Sequence, residues 1–225
     1  MSNQDLIHSV VTDDEPVLQL PDLVSNKKLI KYEEGEMAFD SYDTMNYFYF
    51  IMSGKIKISQ INPDTAKEQT ISILTRGDMF DTITLLDGEE HEYTSTVIED
   101  SEVVEVPIGH VRELIHSDAK FKSFFFPYLA KQMRDSEELA VDLSLYDVYN
   151  RILRLIGRNI DTNGGVTKLN LIDNLSHEEL ASLVGSVRKV VNRNLQKLKD
   201  EGIIELSRKH IKLKNLKHLL DKLKY

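Results

Sequence analysis

Between about residue 28 and residue 107, apolar and polar positions alternate in short runs: Tyr47-Phe-Tyr-Phe-Ile-Met, Lys55-Ile-Lys-Ile-Ser, Thr70-Ile-Ser-Ile-Leu, Ser95-Thr-Val-Ile and Glu102-Val-Val-Glu-Val. Residues two apart on a strand share a face, so these runs predict short strands, several of them buried on one side. Gly35, Gly54, Gly77 and Gly88 fall between the runs, where tight turns favour a residue free to take positive φ. Many short antiparallel strands at this spacing predict a sandwich or barrel.

The period changes after Pro107. From Asp118 to about Leu143 the pattern is helical, and Phe126, Leu129, Met133, Ser136, Ala140 and Leu143 recur at alternating spacings of three and four. That is a narrow seam of apolar and small residues, flanked by Lys131, Arg134, Asp135, Glu137 and Glu138, and it predicts a dimerisation helix. Packing of the helix on its own β-domain is the alternative. Pro127 lies inside the stretch and should kink or restart the helix. A second helix is expected from Leu145 to about Ile160, with Ile152, Leu155 and Ile156 buried, ending before Asn163-Gly164-Gly165. The chain therefore divides into an N-terminal domain over 1–117, a dimerisation helix over 118–144 and a C-terminal domain over 145–225, giving an α+β protein.

Ser176-His177-Glu178-Glu179 carries a capping box, in which the Ser176 hydroxyl and the Glu179 carboxylate each satisfy the other's backbone N–H. A second helix follows Gly185, from Val187 to Lys199, with Val187, Val190, Val191, Leu195 and Leu198 apolar. Two short helices that cross steeply need a small residue at the contact and a glycine at the turn, and Ala181 and Gly185 stand there, with Leu180, Val184 and Val191 as the core between them. Arg188, Lys189, Asn192 and Arg193 share one side of the second helix, just past Ser186. A helix in the major groove needs this set, because arginine can bond guanine or phosphate and asparagine can read adenine. A solvated surface helix is the plain alternative. Gly202 to Leu213 then predicts two strands around a polar turn, a wing whose Arg208, Lys209 and His210 can lie on the phosphate backbone. Lys212, Lys214, Lys217, Lys222 and Lys224 extend the basic character into a last amphipathic helix built on Leu216, Leu219, Leu220 and Leu223, the last two lysines being expected in solvent.

Charge sharpens this picture. The 225 residues carry 28 Lys+Arg and 37 Asp+Glu, a net of −9. From Tyr146 onward, however, there are 16 basic and 9 acidic residues, and before it 12 and 28. A basic module joined to an acidic one suits a protein that offers one face to a polyanion. Cysteine is absent, which removes disulfides, thiolate metal sites, cysteine-held clusters and cysteine nucleophiles. No apolar run suggests a membrane span and the first residues resemble no signal peptide, so the expected location is the cytoplasm.

With these residues in place the chain resembles the cyclic-AMP receptor and fumarate-nitrate regulator (Crp/Fnr) family over nearly its whole length. Tyr32-Glu-Glu-Gly-Glu-Met-Ala-Phe, the run from Tyr47 to Ser59, and Arg76-Gly-Asp-Met-Phe are similar to the signature of the cyclic-nucleotide-binding-type β-roll, and Leu175 to Asp200 resembles the family's DNA reader. The resemblance implies an antiparallel β-roll (jelly roll), a long dimerisation helix and a C-terminal winged helix-turn-helix. It implies a bacterial transcription regulator, a homodimer on palindromic double-stranded DNA, with RNA polymerase as a further partner. Arg188 and Arg193 match family residues that contact DNA, whereas Lys189 stands where the family usually has a base-reading glutamate.

The likeness weakens at the effector. Members that bind cyclic AMP hold its phosphate with a Gly-Glu pair and, some ten residues on, Arg-Ser; here Asp81 and Thr82, and Tyr93 and Thr94, replace them. An anionic phosphodiester needs such an arginine, and Asp87, Glu89, Glu90 and Glu92 lie close by. The expectation is no response to cyclic AMP and no cofactor, with Thr82, Tyr93 and Thr94 as the candidate pocket for another effector, or no effector at all. Haem sensing through His91 is an alternative, as is a regulatory module that acts on a partner protein. An enzyme is disfavoured, since phosphate loops, nucleophile elbows and metal-spaced histidines are missing.

Overall fold

A computed structural model of the chain describes residues 26–161, 168, 169, 171, 172, 174–207 and 210–223. These form two compact units, one ending at Glu137 and the other starting at Glu138. Among the described residues no helix is long and apolar enough to cross a membrane.

The first unit contains β1 (Lys28–Tyr32), α1 (Ser41–Asn46), β2 (Tyr47–Ile61), β3 (Glu68–Leu74), β4 (Met79–Phe80), α2 (Thr82–Asp87), β5 (Thr94–Pro107), α3 (Ile108–Ser117) and most of α4 (Ala119–Leu145). Its sheet is antiparallel, in the order β1-β5-β2-β3, with β4 also on β2. Two expectations need correction. Tyr47–Met52 and Lys55–Ser59 are not separate strands but one, and the same is true of Ser95–Ile98 and Glu102–Val106. Gly54 is therefore inside β2 and not at a turn; the β2–β5 pairing shifts register around it. Its φ is +85°, and a Cβ there would strike the Asp100 carbonyl and sit 2.6 Å from the Ser101 Cα. Gly35, Gly77 and Gly88 also have positive φ. Gly88 takes the left-handed conformation at the end of α2, where its N–H bonds the Thr84 carbonyl.

The run from Tyr47 is apolar throughout because β2 is covered on both faces. Phe48 and Phe50 join Val104, Val106, Val111, Phe121, Phe125 and Tyr128 under α3 and α4. Tyr49 and Ile51 point the other way, into the roll, with Phe39, Ile56, Phe80 and Val103. Burial of this many large side chains, at about 2 kcal/mol each, is the main stabilising contribution. Helix α4 runs unbroken through Pro127, so the expected restart is absent. Pro127 and Ser123, whose carbonyl loses its helical donor, both lie on the exposed side.

The second unit holds the end of α4, then α5 (Val148–Arg158), β6 (Ile160–Asp161), β7 (Lys168–Leu169), α6 (His177–Leu183), α7 (Arg188–Asp200), β8 (Ile204–Ser207), β9 (His210–Leu213) and α8 (Leu216–Leu223). Asp147 caps α5 by accepting from the Asn150 N–H, so the helix starts three residues later than expected, and it ends before β6. Ahead of this cap, the Asp142 carboxylate is 4% exposed and accepts from Arg154 Nε at 2.5 Å and from Arg158. Arg158 also reaches Glu138 at 2.9 Å, and the Arg154 guanidinium lies over the Tyr146 ring. The last turns of α4 are thus clamped to α5. Helix α8 packs on α5, where Leu223 closes over Gly157 so tightly that a Cβ on the glycine would come within 2.7 Å of it.

Candidate nucleic-acid interface and effector region

The helix-turn-helix is assembled by short-range hydrogen bonds. Glu179 N–H donates to the Ser176 hydroxyl at 3.1 Å and Ser176 N–H to the Glu179 carboxylate at 2.5 Å, so the capping box is complete. Such a cap contributes about 1 kcal/mol. Helix α6 stops at Gly185, φ +61°, with the Ser186 N–H bonded to the Ala181 carbonyl at 2.8 Å. This six-residue loop closure is the Schellman arrangement, which needs a left-handed residue in the Gly185 position. Leu180, Ala181, Val184 and Val191 are buried between the helices, with Leu195 and Leu198 further along α7. Val187, expected on that buried face, is exposed and serves as the N-cap of α7 without a side-chain hydrogen bond.

On the opposite side Arg188, Lys189, Asn192 and Arg193 are all exposed, and Ser186 is half-buried. Arg188 Nη1 lies 3.5 Å from a carboxylate oxygen of Glu178 on α6, a contact that sequence reasoning missed. The wing exists: β8 and β9 pair from Ile204↔Leu213 to Ser207↔His210. His210 and Lys212 are exposed and Lys214 pairs with Glu205 at 3.5 Å. Arg208 and Lys209, expected at the tip, fall outside the described residues, as do Asn163-Gly164-Gly165 and Lys224. Lys222 is not simply solvated. Its ammonium is 3.1 Å from Glu201, and the Tyr149 hydroxyl donates to the same carboxylate.

The seam on α4 splits by burial. Phe126 is 51% and Met133 68% exposed; Ser136 and Ala140 are exposed, while Leu129 and Leu143 are half-buried. The opposite side of the helix, through Phe121, Phe125 and Tyr128, is buried in the roll. The face of the helix that packs on its own β-domain is thus the one opposite Phe126 and Met133.

In the roll, Asp81 is 2% exposed and caps α2. Its Oδ1 accepts from Ile83 N–H at 2.9 Å, and its Oδ2 accepts from Thr84 Oγ1 at 3.0 Å and lies 3.0 Å from His91 Nδ1. The hydrogen bond to Asp81 raises the His91 pKa above its ordinary value, against the opposing effect of burial. His91 Nδ1, one nitrogen of the candidate haem ligand, is therefore engaged within the chain. Thr82 occupies the first turn of α2 and Thr94 pairs with Ser59. Tyr93 turns inward to the Phe80 ring, centroids 4.9 Å apart, and its hydroxyl donates to the Asp40 carbonyl. Phe80 in turn stacks on Phe39, and Phe39 on Tyr49. Aromatic side chains thus fill the roll beside these residues. An arginine does reach α2, from α3: Arg112 donates to the Leu85 and Thr84 carbonyls at the end of the helix remote from Asp81. Among the described residues no cluster of His, Cys, Asp or Glu could hold a metal ion.

Comparison with known proteins adds two family matches, a cyclic nucleotide-binding domain over residues 29–118 and a Crp-like helix-turn-helix domain over residues 148–222. A CRP-like cAMP-activated global transcriptional regulator of Mycobacterium tuberculosis is 27% identical over 194 residues, 84% of this chain and 85% of that protein. FixK2 of Bradyrhizobium japonicum superposes with a TM-score of 0.72 at 19% identity, covering 88% of this chain and 97% of that one. A CooA mutant of Carboxydothermus hydrogenoformans gives 0.73 at 18%, covering 93% and 96%.

Proposed function

Since the chain belongs to the Crp/Fnr family of DNA-binding transcriptional regulators, and so is not an enzyme, we propose that it acts as a homodimer on a palindromic operator without responding to cyclic AMP. The observation that carries this reading is the side of α7 formed by Arg188, Lys189, Asn192 and Arg193, exposed together while Val191, Leu195 and Leu198 hold the helix down. That side enters the major groove, with Ser186 at its approach, and Arg208 and Lys209 at the wing tip lie on phosphates. The first turn of α7 has no side-chain cap; Val190 N–H is bonded to the Val187 carbonyl, which leaves the Arg188 and Lys189 N–H groups for a phosphate oxygen. Lys189 in place of a base-reading acid favours an operator that departs from the common family sequence.

The two copies meet along α4, because Phe126 and Met133 offer apolar surface to solvent on a helix whose other side is already buried. The M. tuberculosis relative is cAMP-activated, but here Asp81, buried and already hydrogen-bonded to Ile83, Thr84 and His91, stands close in sequence to Asp87, Glu89, Glu90 and Glu92, a stretch with no arginine to hold an anionic phosphodiester. The signal is either the protein's own abundance or another small effector near Thr82, Tyr93 and Thr94. The protein works in the cytoplasm, with RNA polymerase as its further partner.

Genomic fragments retained by the purified protein identify the operator, and band shifts on it test the assignment. Replacing Arg188 and Arg193 by alanine abolishes binding and leaves the dimer intact in sedimentation. Unchanged binding would overturn the α7 assignment, a monomer in the wild type would overturn the dimer, and a rise in melting temperature with cyclic AMP would overturn the effector reading.

A further inference from the structure

Glu178 and Arg188 stand on opposite sides of the helix-turn-helix turn, and their side chains are 73% and 62% exposed. A pair so open to water is too weak to explain the fold, which the capping box, Gly185 and the apolar contacts already account for. Glu179, the neighbouring acid, is used in the cap; Glu178 is not. What the contact does is bias the direction of one flexible side chain.

We propose that Glu178 is a specificity-determining residue that aims Arg188 at a guanine edge and away from the phosphate backbone. The inference rests on the reading of α7 as the helix that enters the groove. A guanidinium has five N–H donors in a planar fork. With Nη1 turned to Glu178 at 3.5 Å, the edge made by Nε and Nη2 stays open for the two acceptors of guanine. The carboxylate also makes it costly for the same arginine to settle on a phosphate, since that would bring two anions together within a Debye length of about 10 Å. An arginine without this neighbour would bind phosphate on any sequence. Glu178 thus converts general affinity into discrimination.

Wild type, Glu178→Ala, Glu178→Gln and Arg188→Ala, each as the full chain, are passed through selection from a random-sequence duplex pool. Each is also titrated on one mixed-sequence duplex over a range of salt. Wild type selects guanine at one position per half-site. Glu178→Ala loses that preference by about tenfold, binds the mixed duplex more tightly, and shows a salt slope steeper by about one. Glu178→Gln keeps an acceptor oxygen and retains part of the guanine preference, which a pure charge effect would not allow. The proposal is overturned if Glu178→Ala selects guanine as wild type does, or if its affinity for selected and mixed duplexes changes by one common factor. Should Arg188→Ala keep the wild-type preference, the placement of Arg188 itself fails, and the Glu178 variants then share that result.

Discussion

The Tyr128 hydroxyl accepts the Met79 backbone N–H at 2.9 Å and donates to the Met79 carbonyl at 3.0 Å, so one side chain of α4 satisfies both polar groups of a β4 residue. The site is buried, and burial holds the phenol well above its usual pKa, so the hydroxyl keeps its proton over the working range. Replacement by phenylalanine preserves the packing and leaves the Met79 N–H and carbonyl without this partner. A loss of about 1 to 3 kcal/mol is expected in urea unfolding. A loss below measurement would mean that water reaches Met79.

His91 gives a pH dependence whose sign is set by its hydrogen bond to Asp81. Its folded pKa lies above the ordinary 6.5, so protonated His91 stabilises the fold fully below that value and the contribution fades as pH rises through the folded pKa. The difference in melting temperature between wild type and His91→Gln should be largest at acid pH and shrink above neutrality. A constant difference, or an imidazole that titrates by NMR at or below 6.5, would count against the pair.

Asp142 joins two guanidiniums to the end of α4, and the Arg154 and Arg158 side chains are 29% and 35% exposed. Replacement by alanine takes this acceptor from the partly buried Arg154 and leaves Arg158 with Glu138 alone. A cost of about 2 kcal/mol is expected for the unit that begins at Glu138, below that of a fully buried pair because water still reaches the arginines. Calorimetry of the variant checks it, and a double replacement that also removes Arg158 should cost less than the two single changes added together.

Gly54 and Gly35 have similar positive φ but different surroundings. A Cβ on Gly54 meets the β5 backbone at Asp100 and Ser101, whereas one on Gly35 meets nothing within 4 Å. Gly35→Ala should cost only the left-handed strain, about 1 kcal/mol. Gly54→Ala should cost several times more, or leave the chain insoluble. Equal losses would show that β5 yields without penalty.

The reader at the carboxyl end was legible because its signals are local. Ser176 and Glu179 are three residues apart, and Gly185 sits where only a left-handed residue closes α6. The long strands were harder to see: a register shift near Gly54 moves side chains to the other face, so one bent strand looks like two short ones. Asp142 reads as one more charge on a polar helix, since its partners follow 12 and 16 residues later on α5. Glu178 was hidden in the same way, because its contact with Arg188 depends on how the turn folds the two helices together. Lys222 belonged to a basic run that suggested solvent, and only the packing of α8 on α5 brings it to Glu201.

The closure of Leu223 over Gly157 sets a limit on how far the molecule can be shortened. A version stopped ahead of Leu216 would strip the cover from α5 and leave an oily strip open to solvent, which favours clumping over loss of a mere appendage. The final helix is a cover for α5, and deletion series meant to map DNA contacts should stop short of it.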